Sequence, residues 1–205
     1  MENRGAFIII EGGDGAGKTT IVERLKKEFP DVVYTRDPGG TRLGEQLRSI
    51  LMSKDSSGMD ARAELLLFLA AEAQLVAEVI EPALTAGKTV ITTRFTPSAI
   101  AYQIYGRQQM ELLSLLRTIS EATHGRAIPD ACVLLDVTPS VGLARVHSRA
   151  EELTRFDAEE LAFHERVREG YKKHVGEFGR AYTIDANRPL EEVWKDVLNT
   201  VQSLV

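Results

Sequence analysis

The chain has 205 residues, of which 43% are hydrophobic, and this size and composition predict one compact domain spanning 1–205. The formal net charge of −5 excludes a generally basic surface, so we expect no nucleic-acid partner, and any polyanion has to meet a local basic site. A single cysteine, Cys132, excludes an internal disulfide and a multi-cysteine metal site. No apolar run approaches about 18 residues and no signal-peptide pattern occurs, which predicts a cytoplasmic protein that does not span a membrane.

Short apolar segments alternate with longer segments of helical periodicity. Because strands separated by helices favour βαβ crossovers, the pattern predicts an α/β fold with a mostly parallel sheet. The apolar runs do not alternate with polar residues, which indicates strands buried on both faces. The predicted strands are 6–11, 31–36, 88–93, 131–136 and 181–185. The predicted helices are 18–29, 42–53, about 60–86, 97–105, 108–123, 139–150, 157–176 and 189–204.

A glycine-rich segment follows the first predicted strand. Gly12, Gly17, Lys18 and Thr19 complete the pattern G-x-x-x-x-G-K-[ST] between a strand and a helix. Glycines let successive N–H groups turn inward, and the following helix adds the positive end of its dipole. Lys18 can reach the β- and γ-phosphates, and the Thr19 hydroxyl can join Mg²⁺. We therefore predict a nucleotide-phosphate site; the alternative is a glycine-rich turn without a ligand.

Two acids, Glu11 and Asp14, lie in or beside this loop. Acids next to a triphosphate repel it, so their presence suggests that another group approaches, such as a sugar hydroxyl or a magnesium-bound water. The alternative is that Asp14 only bonds the N–H groups of the loop.

Five blocks occur in order along the chain: FIIIEGGDGAGKTT, TRDPGGTRLGEQLR, AELLLFLAAEAQLV, TRFTPSAIAYQ and PDACVLLDVTPSVGLARV. Together they closely resemble the thymidylate kinase family, and the similarity runs from Phe7 to about Val201. The resemblance implies transfer of the γ-phosphoryl group of ATP to dTMP with Mg²⁺ as cofactor. It also implies a P-loop NTPase fold, with a five-stranded parallel sheet flanked by helices, and a homodimer packed through helices.

The resemblance assigns site residues block by block. Asp14 matches the acid that bonds the 3′-hydroxyl of dTMP, Phe68 the aromatic ring that stacks on thymine, and Arg94 the arginine that grips the acceptor phosphate. From the residues alone, Phe68 would be a core residue, whereas Arg94 ends a predicted strand, where ligands bind in open α/β sheets, or else forms a surface ion pair. The implied ATP-binding residues are Gly12, Gly13, Asp14, Gly15, Ala16, Gly17, Lys18, Thr19 and Thr20. The implied substrate-binding residues are Asp14, Asp37, Pro38, Phe68, Arg94, Ser98, Tyr102 and Gln103.

A short charged segment, about 148–157, separates two predicted helices and resembles the mobile lid of the family. The position after Asp14 is Gly15 rather than arginine, and family members with glycine there place the catalytic arginine in the lid. We expect Arg155 to take this role beside Lys18 and Arg94, with Arg149 as the second candidate. Without the resemblance, the segment would be interpreted as a solvated loop.

The chain departs from the family at two positions. Thr93 stands where an aspartate usually precedes Arg94, which predicts weaker Mg²⁺ affinity and leaves Thr19, with Glu11 or Asp37, to position the metal. Glu72 stands where an arginine usually donates to thymine O4, and a carboxylate cannot donate unless it is protonated. Either Glu72 turns away and pairs with a nearby base, or the pocket prefers an exocyclic amine such as that of cytosine.

Three interpretations remain open from the sequence. The first is a magnesium-dependent thymidylate kinase that binds ATP and dTMP. The second is a related kinase with another or broader nucleoside monophosphate preference, motivated by Glu72 and Thr93. The third is a nucleotide-binding protein that has lost turnover; the intact Lys18, Thr19 and Arg94 argue against it.

Overall fold

Five strands form one parallel sheet in the chain, whose computed structural model describes residues 4–148 and 153–205. The strand order is β2-β3-β1-β4-β5, and every neighbouring pair is parallel. The strands are β1 Phe7–Glu11, β2 Val33–Arg36, β3 Val90–Thr93, β4 Ala131–Asp136 and β5 Arg180–Asp185. The predicted α/β class and all five predicted strands are confirmed, with ends that differ by about two residues.

Helices connect the strands and cover both faces of the sheet. The helices are α1 Lys18–Glu28, α2 Arg42–Met52, α3 Ala61–Leu75, α4 Glu81–Thr85, α5 Thr96–Ala99, α6 Leu113–Thr123, α7 Pro139–His147, α8 Leu161–His174 and α9 Leu190–Gln202. Wider π-helical turns, Val76–Ile80 and Ile100–Gly106, continue α3 into α4 and extend α5.

Two predicted helix starts are wrong, each for a local reason. The helix predicted from 108 starts as α6 only at Leu113, since Gln108 has a left-handed φ of 56°. The helix predicted from 157 starts as α8 at Leu161, because Asp157 instead closes a turn: its carboxylate accepts from the Thr154 N–H at 2.8 Å and from the Thr154 hydroxyl at 2.7 Å.

The central strand is buried on both faces, which explains why its sequence does not alternate. Phe7 and Ile9 belong to the hydrophobic cluster on one face, and Ile8 and Ile10 to the cluster on the other. Cys132 on β4 is fully buried in the first cluster, and burial raises the pKa of its thiol. The cysteine is therefore a core residue.

The strand ends place the functional residues. Ile10 and Arg36 both pair with Thr93, so the carboxyl ends of β1, β2 and β3 meet at one edge of the sheet. The loops that follow these strands carry the predicted phosphate loop, the Asp37 block and Arg94. Within the part of the chain that the structure describes, no helix has the length and apolarity needed to cross a bilayer.

Candidate active site

The loop between β1 and α1 has the backbone of an anion cradle. Gly15 has a φ of 72°, and a Cβ atom there would lie 2.1 Å from the carbonyl oxygen of Gly142. Only glycine fits both the left-handed backbone and this close approach. Gly17, at 91°, precedes the first turn of α1 and offers no side chain to cap it. The N–H groups of this turn therefore face the loop and suit a phosphate.

Lys18 lies inside this loop. Its ammonium donates to the carbonyl oxygens of Gly12 and Gly13 at 2.7 and 2.8 Å. Thr19 follows on the exposed side of the first turn. The residues predicted to hold phosphate and metal thus lie next to each other at the start of α1.

A cavity of about 310 Å³ opens beside the loop, at the carboxyl edge of the sheet. Its volume suits a small-molecule ligand. It brings together most of the residues that the sequence predicts for the two nucleotide sites. Those lining it are Asp14, Gly15, Ala16, Gly17, Lys18, Thr19, Asp37, Pro38, Phe68, Arg94, Ser98, Tyr102 and Gln103. Gly12, Gly13 and Thr20 belong to the loop but do not line this cavity.

Arg94 and Asp14 form an ion pair in the cavity. A guanidinium nitrogen of Arg94 donates to Asp14 Oδ1 at 2.6 Å, and Tyr102 donates to Asp14 Oδ2 at 2.8 Å. Burial opposes ionisation of Asp14, but the positive charges of Arg94 and Lys18 hold its pKa below the ordinary value. Asp14 is therefore a carboxylate, able to accept a hydrogen bond from a hydroxyl group of a ligand.

Arg94 is held in a strained, fixed position. Its backbone has a φ of 65°, and its guanidinium also contacts the hydroxyl groups of Tyr171 at 3.0 Å and Tyr102 at 3.1 Å. Left-handed backbone at a non-glycine residue is costly and is concentrated at functional sites. The planar fork, aimed into the cavity, suits a phosphate group.

Glu11 supports the turn after β3. Its carboxylate accepts from the Phe95 N–H at 2.8 Å and from the Ser98 hydroxyl at 2.7 Å, and Glu11 is completely buried. Burial raises its pKa despite these hydrogen bonds and the positive charge of Arg94. Glu11 thus holds β1 against α5 and does not line the cavity, which leaves it unsuited to the metal-positioning alternative.

Asp37 lines the cavity and is 5% exposed. Its Oδ1 atom is buried without a hydrogen-bond partner. Burial, and then the negative charges of Glu72 and Glu11, raise the pKa of Asp37 well above its ordinary value. A buried carboxyl oxygen without a hydrogen-bond partner is costly, and the substrate-binding role of Asp37 stays a prediction.

Two further arginines line the same cavity. Arg48 donates to the Pro38 carbonyl oxygen at 3.0 Å, and Arg36 pairs with Glu45 at 2.8 Å. Burial and the neighbouring charges of Arg36 and Arg94 lower the pKa of Arg48. These cations add positive charge to a cavity that already contains Lys18 and Arg94.

Comparison with known proteins identifies the family. Residues 10–197 match the family model described as thymidylate kinase. The chain belongs to the thymidylate kinase family. Curated relatives named thymidylate kinase include those of Solidesulfovibrio magneticus, at 43% identity over 97% of this chain and 100% of the relative, and Clostridium novyi, at 41% over 95% and 97%. The relative from Bacillus pumilus is 37% identical over 97% of this chain and 95% of its own length.

Two residues that the thymidylate kinase resemblance assigns to the thymidine pocket, Phe68 and Tyr102, line the cavity with their rings against Phe156. Phe68 is partly buried on α3, with its ring centroid 6.0 Å from that of Phe156 in the lid segment. Gln103 lines the cavity from the π-helical turn, next to Tyr102. An aromatic ring and an amide therefore line the same cavity, and a pyrimidine base can stack on the first and hydrogen-bond to the second.

Glu72 turns away from the cavity. Its carboxylate lies 2.8 Å from His124 Nε2 and accepts from the Thr96 hydroxyl at 3.1 Å, and it is absent from the cavity lining. The His124 ring stacks on Phe95 at 4.8 Å. Of the two alternatives from the sequence, the structure supports the first, in which Glu72 pairs with a nearby base.

The structure does not bring Arg155 to the phosphate loop. Its guanidinium donates to Glu64 Oε2 at 2.6 Å and contacts the Leu51 carbonyl oxygen, and the residue is 9% exposed. A buried carboxylate and an unbonded helix-end carbonyl both attract a cation, which explains this position. The catalytic role of Arg155 stays a prediction that requires it to leave Glu64. Arg149, the other candidate, lies outside the described residues.

A magnesium ion fits the residues at the start of α1. No group of three or more His, Cys, Asp or Glu side chains that could hold a metal occurs among residues 4–148 and 153–205. Mg²⁺ bound with a nucleotide needs only one or two protein ligands besides phosphates and waters. Thr19 can supply one, and Thr93 lines the cavity with a hydroxyl. Asp136 is a further acid at the end of a strand, β4, but its carboxylate is already paired, since Arg168 donates to both of its oxygens at 2.6 and 2.9 Å.

Sequence reasoning missed several residues of the site. Arg48 sits one helical turn before the end of α2, Tyr171 near the end of α8, and Glu64 in the first turn of α3. A charged residue inside an amphipathic helix normally indicates a solvated face, so nothing local distinguishes Arg48, and Tyr171 has the pattern of a core residue. A buried glutamate in an apolar stretch such as AELLLF is the signal that could have found Glu64.

Proposed function

We propose that this protein is a thymidylate kinase that transfers the γ-phosphoryl group of ATP to dTMP and releases ADP and dTDP. The observation that carries the proposal is the meeting of Lys18 and Arg94 in one cavity, with Asp14 between them as a carboxylate. The loop cation suits the donor phosphates and the guanidinium suits the acceptor phosphate. Two phosphate sites facing each other are what phosphoryl transfer requires.

The transfer makes and breaks one bond at phosphorus. An oxygen of the dTMP phosphate forms a bond to the γ-phosphorus, while the bond from that phosphorus to the bridging oxygen of ADP breaks. Arg94 orients the attacking phosphate, and Lys18 and the loop N–H groups stabilise charge on the donor. Asp14 accepts from the 3′-hydroxyl, which fixes the sugar, and Tyr102 crowds the 2′ position and disfavours ribose.

Mg²⁺ is the cofactor in this proposal, and the Thr19 hydroxyl would hold it beside the ATP phosphates. When bound, it neutralises phosphate charge. Thr93 offers a hydroxyl where a carboxylate would add a negative charge, so we expect metal affinity below that of relatives with aspartate.

The lid segment 148–157 excludes water during transfer. Of its described residues, Leu153, Thr154, Phe156 and Asp157 line the cavity, and Phe156 also contacts Phe68. Closure of such a segment lets transfer to the acceptor exceed hydrolysis. Catalysis by Arg155 then requires a movement of the lid in which the Arg155 guanidinium leaves Glu64 and contacts the phosphoryl group.

We further propose a homodimer that acts in the cytoplasm. Helices α2 and α3 pack together and leave Leu43, Ile50 and Leu66 between 43% and 48% exposed. Apolar side chains exposed on adjoining helices fit an interface between two copies. Light scattering that gives a monomer at micromolar concentration would refute the dimer.

The decisive experiment measures product formation from dTMP, dUMP, dCMP and dGMP side by side with ATP and Mg²⁺. We expect dTMP to give the highest kcat/KM. Faster conversion of dCMP would refute the substrate assignment. Tight ATP binding with no product from any monophosphate would refute the enzyme.

A further inference from the structure

Glu64 is a buried carboxylate that joins α3 to Gln103 and Arg107 of the π-helical turn and its end, and to Arg155 of the lid segment. Its Oε1 atom accepts from Gln103 Nε2 at 3.0 Å and from Arg107 Nε at 3.1 Å. Its Oε2 atom accepts from Arg155 Nη1 at 2.6 Å and from Arg107 Nη2 at 3.2 Å. The residue is 1% exposed and does not line the cavity. It therefore acts on a ligand only through the groups it holds.

The charge of Glu64 fixes the orientation of the Gln103 amide. Burial opposes ionisation, but hydrogen bonds from Arg107 and Gln103 and the nearby charges hold the pKa of Glu64 below its ordinary value. An ionised carboxylate only accepts hydrogen bonds, so the amide group that faces it is the NH₂ group. The carbonyl oxygen of Gln103 is then the atom left for a ligand in the cavity.

We propose that Glu64 is a positioning residue that selects for bases with an N3–H, because it makes Gln103 present an acceptor to the base. The inference rests on the proposed function, in which Gln103 meets the base of the acceptor. Thymine and uracil carry a hydrogen on N3 and donate it to the amide oxygen. Cytosine carries a lone pair on N3, which faces that oxygen without a proton between them. Turning the amide for cytosine breaks a hydrogen bond to a charged group.

The Glu64→Gln substitution removes this constraint. A glutamine side chain both donates and accepts, so Gln103 can turn its NH₂ group towards the base and still keep a partner. Glu159 offers a matched control. It pairs with the same Arg107, but no hydrogen bond of Glu159 to Gln103 occurs in the described part of the chain. Glu159→Gln thus removes a carboxylate from the same cluster, while the Gln103 amide keeps its hydrogen bond to Glu64.

The experiment compares kcat/KM for dTMP, dUMP and dCMP in the wild-type enzyme, E64Q and E159Q, with ATP and Mg²⁺ saturating. In E64Q we expect the preference for dTMP over dCMP to fall by about 10-fold or more. The preference for dTMP over dUMP should change by less than about two-fold, since both bases carry the N3–H. E159Q should keep both ratios. A purely structural role of Glu64 would lower all three rates together.

An unchanged ratio of dTMP to dCMP in E64Q overturns the proposal. If E64Q does not fold, Glu64→Asp replaces it, since aspartate keeps the negative charge between the arginines but its shorter side chain withdraws the carboxylate from Gln103. We expect the same fall in the ratio of dTMP to dCMP in this variant. An unchanged ratio there overturns the proposal as well. A wild-type enzyme that does not phosphorylate dTMP would instead refute the proposed function, so the two failures are distinguishable.

Discussion

Replacing Asp37 with asparagine should stabilise the ligand-free protein while lowering its activity. Asp37 is buried with an oxygen that has no hydrogen-bond partner, next to the negative charges of Glu72 and Glu11. Asparagine has nearly the same shape and carries no charge, so the substitution removes the repulsion from Glu72 and Glu11. A buried polar group without a partner costs about 1–3 kcal/mol and more when it is charged, so we expect removal of the charge to gain about 1–3 kcal/mol at neutral pH. Since 1 kcal/mol shifts the Tm of a chain of this length by about 2–4 °C, the increase is measurable.

The pH dependence of this gain follows from the raised pKa of Asp37. Between the ordinary value of 3.8 and the higher native value, the folded protein binds more protons than the unfolded chain. Stability of the wild type therefore falls as the pH rises through this window. Asparagine does not titrate, so the advantage of Asp37→Asn should be small near the lower end and grow as the pH rises.

The assay is thermal unfolding of both proteins without nucleotide at several pH values from about 4.5 to 8, a range set by this linkage. Asp31→Asn is the matched control, because Asp31 is exposed and its substitution should change stability by less than about 0.5 kcal/mol. Lower stability of Asp37→Asn at neutral pH, or a gain independent of pH, would refute the reasoning. A fall in kcat/KM for dTMP in the same variant would show a site that trades stability for function.

Three further substitutions test the proposed mechanism. Lys18→Ala should lower kcat by about 10³-fold or more while Tm stays within about 2 °C; a loss of folding would refute a purely chemical role. Arg155→Ala should lower kcat by about 10³-fold and raise the Kd of dTMP far less. The free energy of unfolding should fall by only about 1–3 kcal/mol, because Glu64 still pairs with Arg107 after Arg155 is removed. Unchanged turnover would move the catalytic role to Arg149 or elsewhere. Thr93→Asp should lower the Mg²⁺ concentration for half-maximal rate by about three- to ten-fold, and an unchanged concentration would separate this position from the metal.

The parts of the fold that the sequence predicted are those with local signals. The apolar run ending at Glu11 and the glycine pattern ending at Thr19 are contiguous, so a strand, a phosphate loop and the start of a helix follow from about a dozen neighbouring residues. The gathering of Asp37 and Arg94 follows from topology, since the carboxyl ends of adjacent parallel strands meet at one edge.

The parts that the sequence did not predict depend on partners far apart in the chain. Glu72 meets His124 across 52 positions, and Glu64 meets Arg155 across 91. Pairings of this kind are decided by how helices pack, and no spacing in the sequence encodes them. The sequence therefore leaves open whether Glu72 pairs with a basic side chain or contacts the nucleobase. It also predicts Arg155 at the phosphates, whereas the structure places its guanidinium on Glu64.

The cavity carries a local excess of positive charge, which explains how a chain with a negative net charge can bind two polyanions. The charged residues that line it are Lys18, Arg36, Arg48, Arg94, Asp14, Asp37 and Asp157. Their four cations already outnumber the three acids, and the raised pKa of Asp37 lowers its share of negative charge further. The negative net charge of the chain therefore comes from residues outside the cavity, while the cavity is locally positive. Because exposed charges beyond about 10 Å are largely screened at 0.1 M salt, the cavity rather than the overall charge governs binding of ATP and dTMP.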